Sequence, residues 1–489
     1  MIDDIIDRHA RAKAKRSAWE NLWQDCYDYA LPLRSDKGNL SPNRKSERLY
    51  DATALDAVDQ LAASLLGNLT PIWTQWFGLR PGPQLSEKEA QSLAPILEKA
   101  GKIVQAHFDR SNFTMEIHQA FLDLVVAGTA SIAFEEAEPG HYSAYRFSSI
   151  PLTDIVLEEG NNGFLDGTFR TLCLTLAQMQ SRYPQAELPE HIIHIGIKDA
   201  QTQFKVLEAI IPDGNVYLYT ARLVEEAGQE DVILAEQKLS QSPIINFRWM
   251  KSPGDIYGRS PVMKILPDIK TANKVVELIL KNASIAVTGI WQADDDGVLN
   301  PANIELVPGA IIPKAFGSKG LTPLEMPGRF DVSQIIIDDL RANIRHALLI
   351  DRLPQLNGKR MTATEVLERS NEMALLLGAT YGRLQSELLD PLIQRAYAIL
   401  RRRGEVPDLA LDGRIVEIEY RSPLAKSMSQ RHVQTTLNWL QGVQSLGPEA
   451  VASVDMIRAA RYLGEALGVS SDLIRNPETQ IETIGEINV

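Results

Sequence analysis

Residues 351–369 read DRLPQLNGKRMTATEVLER. Pro354 disfavours a helix interior, and Asn357-Gly358 is turn chemistry that tolerates left-handed dihedrals. Thr362-Ala-Thr-Glu365 then has capping-box spacing: the Thr hydroxyl accepts from the third helical amide and the Glu carboxylate reaches back. One helix ends and another begins within this stretch, which leaves Lys359 and Arg360 at an exposed bend. Apolar residues keep helical spacing on both sides. Ile336, Leu340, Ile344 and Leu348 mark a helix over about 331–351, and a longer pattern runs over about 363–403. A bend in that second helix is expected at Gly378–Gly382. It closes on Arg401-Arg402-Arg403-Gly404, where positive charge complements the helix dipole and Gly serves as the residue after the cap, so these arginines read as a helix end rather than a phosphate clamp.

Upstream lies another long helix, about 261–290. Its apolar stripe is Ile265, Ile269, Ala272, Val276, Ile279, Ala283 and Val287, and Pro267 is expected to mark its first regular turn. The opposite side carries Lys270, Lys274 and Lys281 with Glu277 among them, a stripe that suits either nucleic acid or neighbouring acids. Residues 293–330 between the two helices hold Pro301, Pro308, Pro313, Pro323 and Pro327, which predicts loops with short pieces such as Ile311-Ile312. The N-terminal part reads as helices over 2–30, 53–68, 86–110 and 114–127, with an aromatic loop from Pro71 to Phe77. In the first of these, Trp19, Leu22, Trp23, Cys26 and Tyr27 share a face, and Arg11, Lys13, Lys15 and Arg16 form the polar side. From about 143 the texture turns β-rich. Thr168–Leu176, Phe204–Ile211, Val216–Leu223 and Asp231–Leu239 predict an antiparallel meander, punctuated by turns such as Pro212-Asp-Gly-Asn215. A short β segment follows at Arg414–Tyr420, helices resume from about 429, and the tail after Pro477 reads as loose. The fold class is α+β, mostly helical.

Composition narrows the function. With 44% apolar and 23% charged residues, 489 residues supply ample core material. A net charge of −13 argues against tight binding of nucleic acid, so contact with DNA should be local and transient. Cys26 and Cys173 cannot build a disulfide framework; both are expected to be buried small apolar residues in a reducing compartment. The N-terminal MIDDIIDRHARAKAKR has no apolar run of signal-peptide type, and no stretch of membrane-spanning length is apolar throughout.

Catalytic motifs are missing from the sequence: it contains no phosphate-binding Gly-x4-Gly-Lys-[Ser/Thr], no His-Glu-x-x-His, no Gly-x-Ser-x-Gly and no Cys-x-x-Cys. His191-Ile-Ile-His194 lies in an Ile-rich stretch that reads as strand, with no third ligand in view. Asp294-Asp-Asp-Gly297 superficially resembles a calcium loop, but Gln292 and Asn303 occupy the positions that require Asp and Glu, so it reads as a solvated turn.

Four stretches carry a family resemblance: Arg48-Leu-Tyr-Asp51 with Leu61-Ala-Ala-Ser-Leu-Leu-Gly67; Pro253-Gly-Asp-Ile-Tyr-Gly-Arg-Ser-Pro261; Lys359-Arg-Met-Thr-Ala-Thr-Glu-Val366; and Leu384-Gln-Ser-Glu-Leu-Leu-Asp-Pro-Leu-Ile393. In this order, over nearly the whole chain, they resemble the portal proteins, or head-to-tail connectors, of short-tailed phages. The resemblance implies a ring, usually of twelve subunits, at one capsid vertex. DNA would pass through it during packaging and ejection, and the ring would dock the terminase large subunit and a tail adaptor. Capsid and scaffolding proteins would be further partners, double-stranded DNA would be contacted without regard to sequence, and no membrane would be involved. Assembly would take place in the host bacterial cytoplasm, with no cofactor, metal or catalysis.

By the same resemblance residues 1–260 would form the wing, 261–292 the first stem helix, 293–330 the clip and 331–351 the second stem helix. Residues 352–362 would be a channel loop, 363–428 a long bent helix returning to the wing, and 429–489 a helical crown with its tail. The expected DNA contacts are Asn357, Gly358, Lys359 and Arg360 in the loop, with Lys270, Lys274 and Lys281 as candidate channel-facing stem residues. Two other classes remain open at this point: a divalent-dependent α+β enzyme acting on nucleic acid or nucleotide, and a tail or capsid scaffold component without a channel.

Overall fold

The computed structural model describes residues 2–32, 49–72, 74–224, 232–288, 291–293, 321–323, 330–352, 378–422 and 435–467. Among these, α1 (Ile2–Ala30), α2 (Thr53–Leu69), β1 (Phe77–Pro81), α3 (Glu87–Arg110) and α4 (Phe113–Ala127) come first. Ser86 opens α3 with a true capping box: its hydroxyl accepts from the Glu89 amide while the Glu89 carboxylate takes the Ser86 N–H. Two antiparallel sheets follow. One has three strands in the order β3 (Tyr145–Ile150), β2 (Thr129–Glu136), β9 (Ile244–Arg248). The other is a five-stranded meander, β4 (Ile155–Glu158), β5 (Gly167–Thr175), β6 (Gln203–Asp213), β7 (Val216–Leu223) and β8 (Val232–Leu239), with α5 (Leu176–Arg182) and α6 (Glu190–Lys198) inserted between β5 and β6.

Two long helices then pack on each other, α7 (Pro261–Thr288) and α8 (Phe330–Ala347), with the short strands β10 (Trp291–Ala293) and β11 (Leu321–Pro323) paired between them in the chain. Helix 378–384 runs through a π turn, Gln385–Leu389, into α9 (Asp390–Arg402). After it β12 (Val416–Tyr420) pairs with β1, and α10 (435–445), α11 (Pro448–Val451) and α12 (Met456–Leu467) close the described chain.

The main core joins α2, α3, α4, the three-stranded sheet, the first turns of α7 and the buried face of α9. Its centre is a chain of rings in which Trp76, Phe108, Phe113, Phe134, Tyr145 and Phe147 meet edge-on or tilted. Such pairs add to the large area each ring withdraws from water. Ile5 and Ala12 of α1 cover the far face of the five-stranded sheet against Phe169, Leu207 and Ala209.

Several expectations need correction. The β-rich region begins at Thr129, not near 143: β2 is buried on both faces in its first six residues, so it shows no alternation and reads as part of the apolar run Phe121–Phe134. Phe77 opens a strand whose partner lies more than three hundred residues away, a pairing that local sequence does not reveal. His191 and His194 lie on α6, a helix that starts after Pro189. Arg16 is buried, with Nη1 donating to the Ile155 carbonyl.

Cys26 is buried, and burial with nearby Asp25 pushes its thiol up to about 12, whereas Cys173 is exposed on β5. Ser260 and Pro261 start α7, with the Ser260 hydroxyl accepting from the Met263 amide; Pro267 lies within the helix. Ile337, not Ile336, joins Ile344 and Leu348 on the buried side of α8. The helix runs through Gly382 and its irregularity is the π turn that follows. The arginines at 401–403 end a helix as expected, with Gly404 at φ +74° and Glu136, Glu405 and Asp408 as ionic partners.

Candidate nucleic-acid interface

Asn357, Gly358, Lys359 and Arg360 lie outside the described residues, as do the capping box Thr362–Glu365, Asp294–Gly297 and the tail after Pro477. The helix that precedes this stretch, α8, is described, and so are the contacts that fix α7 and α8.

Three of the quoted stretches meet at the base of the α7/α8 pair. Asp51, from the Arg-Leu-Tyr-Asp stretch, ties both helices together. The side-chain oxygen of Asn273 on α7 accepts the Tyr50 and Asp51 amides at 2.6 and 3.1 Å. One Asp51 oxygen accepts the Thr53 amide, and the other accepts Arg341 of α8 at 2.9 and 2.8 Å. Burial pushes the Asp51 carboxyl up, but the bonds from Thr53 and the Arg341 guanidinium outweigh it and hold it below the usual range.

The Pro253–Pro261 stretch seats the start of α7. Gly258 lies against Gly128, the left-handed residue (φ +75°) that caps α4; a Cβ on Gly258 would fall 2.1 Å from the Gly128 carbonyl oxygen. Tyr257 is buried and its hydroxyl accepts the Leu157 amide, while the Ser260 hydroxyl donates to the Val126 carbonyl. In the Leu384–Ile393 stretch, Glu387 of the π turn holds Arg248 of β9. The Arg248 Nη2 lies 2.6 Å from Glu387 Oε1, and the Arg248 amide donates to the same carboxylate. Arg248 also donates to the Ile256 and Gly163 carbonyls, so its buried charge is fully engaged.

The lysine stripe of α7 is ionically paired. Lys270 lies 2.8 Å from Asp25 and over the Tyr29 ring; Lys274 and Lys281 flank Glu277 at 2.9 and 2.5 Å. The two lysine hydrogen bonds hold the Glu277 carboxyl below its usual range. This arrangement leaves one net positive charge on the trio. Beyond Asn273, no described side chain of α7 is buried. Leu278 and Leu280 on α7 and Ile335 and Ile336 on α8 stand exposed.

The family model of bacteriophage head to tail connecting proteins matches residues 3–474. A probable portal protein of Bordetella phage BPP-1 is 25% identical, over 96% of this chain and 88% of its own. The portal protein of Salmonella phage epsilon15 is likewise 25% identical, over 99% and 90%. Among solved structures, the neck of a native gene transfer agent particle computed with C12 symmetry aligns over 79% of this chain and 87% of that one, at 12% identity and a TM-score of 0.36. With the match running almost from end to end, this chain belongs to the family of bacteriophage head to tail connecting proteins.

Proposed function

We propose that the chain is a portal subunit: copies close head to tail into a ring at one capsid vertex, and double-stranded DNA passes through the centre during packaging and ejection. Family membership supports this reading, and one observation carries it at the level of the molecule. The α7/α8 pair is tied to the body of the subunit by the Asp51–Asn273–Arg341 clamp, part-way along both helices, and leaves Leu278, Leu280, Ile335 and Ile336 uncovered beyond it. Apolar side chains on a projecting pair of helices gain burial from neighbouring copies, and a heterologous contact that closes generates a ring.

In this reading 1–260 form the wing, 261–292 and 331–351 the stem, 293–330 the clip, 352–362 the channel loop, 363–428 the return to the wing and 429–489 the crown. The chain performs no chemistry of its own; the terminase large subunit docks during packaging and a tail adaptor afterwards, with capsid and scaffolding proteins around the ring. An acidic subunit repels the duplex, while Asn357, Gly358, Lys359 and Arg360 from each copy form a thin collar that touches phosphates without reading bases.

Negative-stain imaging of the purified protein should show rings, about twelve-fold, with a channel wide enough for B-form DNA. Monomers and dimers alone, across a broad range of salt and concentration, would refute the ring. Replacing Lys359 and Arg360 by Ala should leave rings intact and impair packaging or retention of DNA in a defined packaging reaction; unchanged packaging would remove the role given to the loop.

A further inference from the structure

Helices α7 and α8 run antiparallel as a pair. β10 follows α7, β11 precedes α8, and the two strands are paired, so the end of α7 and the start of α8 lie together. Asp51 fixes a common level lower down, through Asn273 of α7 and Arg341 of α8. Counted outward from that clamp, Lys274, Leu278 and Lys281 stand one, five and eight residues along α7, or about 1.5 to 12 Å. On α8, Asp339, Asp338 and Ile335 stand two, three and six residues along, or about 3 to 9 Å. The two sets share a height.

Each set is also one stripe of its helix. Leu278 follows Lys274 by four residues and precedes Lys281 by three, and all three are exposed, whereas Leu266, Ile269 and Asn273 hold the buried side. Asp338 and Asp339 follow Ile335 by three and four residues and all three are exposed, with Ile337, Ile344 and Leu348 buried on the other side. Because α7 and α8 pack on each other, the exposed stripes point away from their seam, and the pair presents two unlike outer faces. Each has a large apolar side chain at its middle height; Ile335 is 67% exposed.

The two faces differ in sign. Lys274 and Lys281 share one carboxylate, Glu277, which leaves a surplus of one positive charge around Leu278. Among the described residues Asp338 accepts only from Gln334, a neutral amide, and Asp339 has no hydrogen-bonded or ionic partner. Arg341, one turn away, is turned to Asp51, and Arg345 lies about 10 Å further toward the base. Two carboxylates beside Ile335 are thus unanswered. A contact of like faces would set lysine on lysine and aspartate on aspartate. A contact of unlike faces matches both the sign and the apolar centre, and repeated by rotation it closes a ring.

We propose that the lysine face of α7 in one copy docks on the acidic face of α8 in the next, with Leu278 against Ile335 and with Lys274 and Lys281 reaching Asp338 and Asp339. This joint rests on the ring reading above and gives the ring a direction, since α7 of every copy meets α8 of the same neighbour. The lysine stripe, which the sequence offers equally to nucleic acid and to neighbouring acids, is taken by the next copy, and phosphate contact is left to residues 357–360.

Four full-length chains test the joint by mass photometry at low salt. The parent should form rings. Lys274→Glu with Lys281→Glu sets like charges across the joint, and so does Asp338→Lys with Asp339→Lys; each of these variants alone should lose about tenfold or more in ring fraction. Mixed in equal amounts, the two should recover rings to within about twofold of the parent, because each reversed face then meets its complement. All four substitutions in one chain should recover rings as well. Thermal midpoints of the unassembled subunits report whether each variant is folded. Independently of charge, Leu278→Cys with Ile335→Cys, in a Cys173→Ser background, should give a ladder of covalent oligomers under mild oxidation, while Leu278→Cys with Ser92→Cys on the exposed side of α3 should not. Undiminished rings in the singly reversed variants, no recovery in the mixture or the fourfold variant, or no ladder from the Leu278/Ile335 pair would overturn the joint and leave the ring standing. A parent that forms no rings would overturn both.

Discussion

The base of the α7/α8 pair and its outer half are built in opposite ways. At the base, polar groups are buried and each is answered: Asn273 by two backbone amides, Asp51 by Thr53 and Arg341, Arg248 by Glu387 and two carbonyls. Further out the pattern inverts. Charges pair at the surface, as Lys274 and Lys281 do with Glu277, while Leu278, Leu280, Ile335 and Ile336 face solvent. The base is complete within one chain; in the proposed ring the outer half is completed by others. Substitutions at the base should therefore act on the stability of the subunit, and substitutions in the outer half on assembly.

The largest expected effect is at the base. Glu387→Ala strands the guanidinium of Arg248, whose side chain is 0% exposed. Removing one partner of a buried pair costs about 3–5 kcal/mol. Urea denaturation of the dissociated subunit should show this loss, and a midpoint within error of the parent would show that the Arg248 carbonyl contacts suffice alone. The outer half gives the contrasting case. Ile335→Ser should leave the denaturation midpoint of the subunit unchanged but weaken each subunit contact by about 1.5–3 kcal/mol, the worth of burying such a side chain. Mass photometry against protein concentration reads this directly, and a ring distribution identical to the parent would place Ile335 outside the interface.

Asp51 sits between these extremes, because Arg341 is about one-third exposed. Asp51→Asn keeps an acceptor for Thr53 and loses the charge facing Arg341, for about 1–2 kcal/mol at neutral pH. Since the folded state holds the Asp51 carboxyl low, its contribution is complete above the unfolded value near 3.9 and is lost as pH falls through the folded value. The gap between parent and variant should therefore narrow below about pH 4. A constant gap from pH 7 to pH 2 would show that the carboxylate charge plays no part.

The helices were legible because they obey one period for many residues, and the turn and capping chemistry around them is local. What escaped depended on partners distant in sequence. Phe77 becomes a strand only because Val416–Tyr420 arrives beside it. Cys173 is exposed because the covered part of β5 is its first half, and nothing within the strand says so. Arg16 did leave a trace that charge concealed. It follows buried Ala12 by four residues and precedes buried Trp23 by seven, which puts it on the inner face of α1. The three motifs at the base were legible as a pattern, but their work was not. Asp51, Gly258 and Glu387 each act on an element remote in sequence: Arg341, Gly128 and Arg248. The basic stretch 357–360, read from the sequence as a loop, lies outside the described residues.

The smallest effect on the subunit, and the sharpest probe of the outer half, is Glu277→Gln. Its carboxylate is flanked by two lysines on the same helix, and same-helix pairs of this kind contribute little to stability because the long lysine side chains are exposed and flexible. The thermal midpoint of the subunit should not move measurably. The variant nevertheless removes the one carboxylate and leaves the two lysine charges, so the net charge of the trio rises from +1 to +2. Set against Asp338 and Asp339 of a neighbouring copy, that extra charge attracts, so ring assembly should strengthen at low salt and lose the gain as salt screens it, with the crossover near the concentration where the Debye length falls to about 10 Å. If this α7 face instead lies close to its own images around the ring, the sign reverses and the variant assembles worse at low salt. An assembly curve insensitive to both charge and salt would leave the lysine stripe facing open solvent in the ring, and would remove Lys274 and Lys281 from the joint between copies.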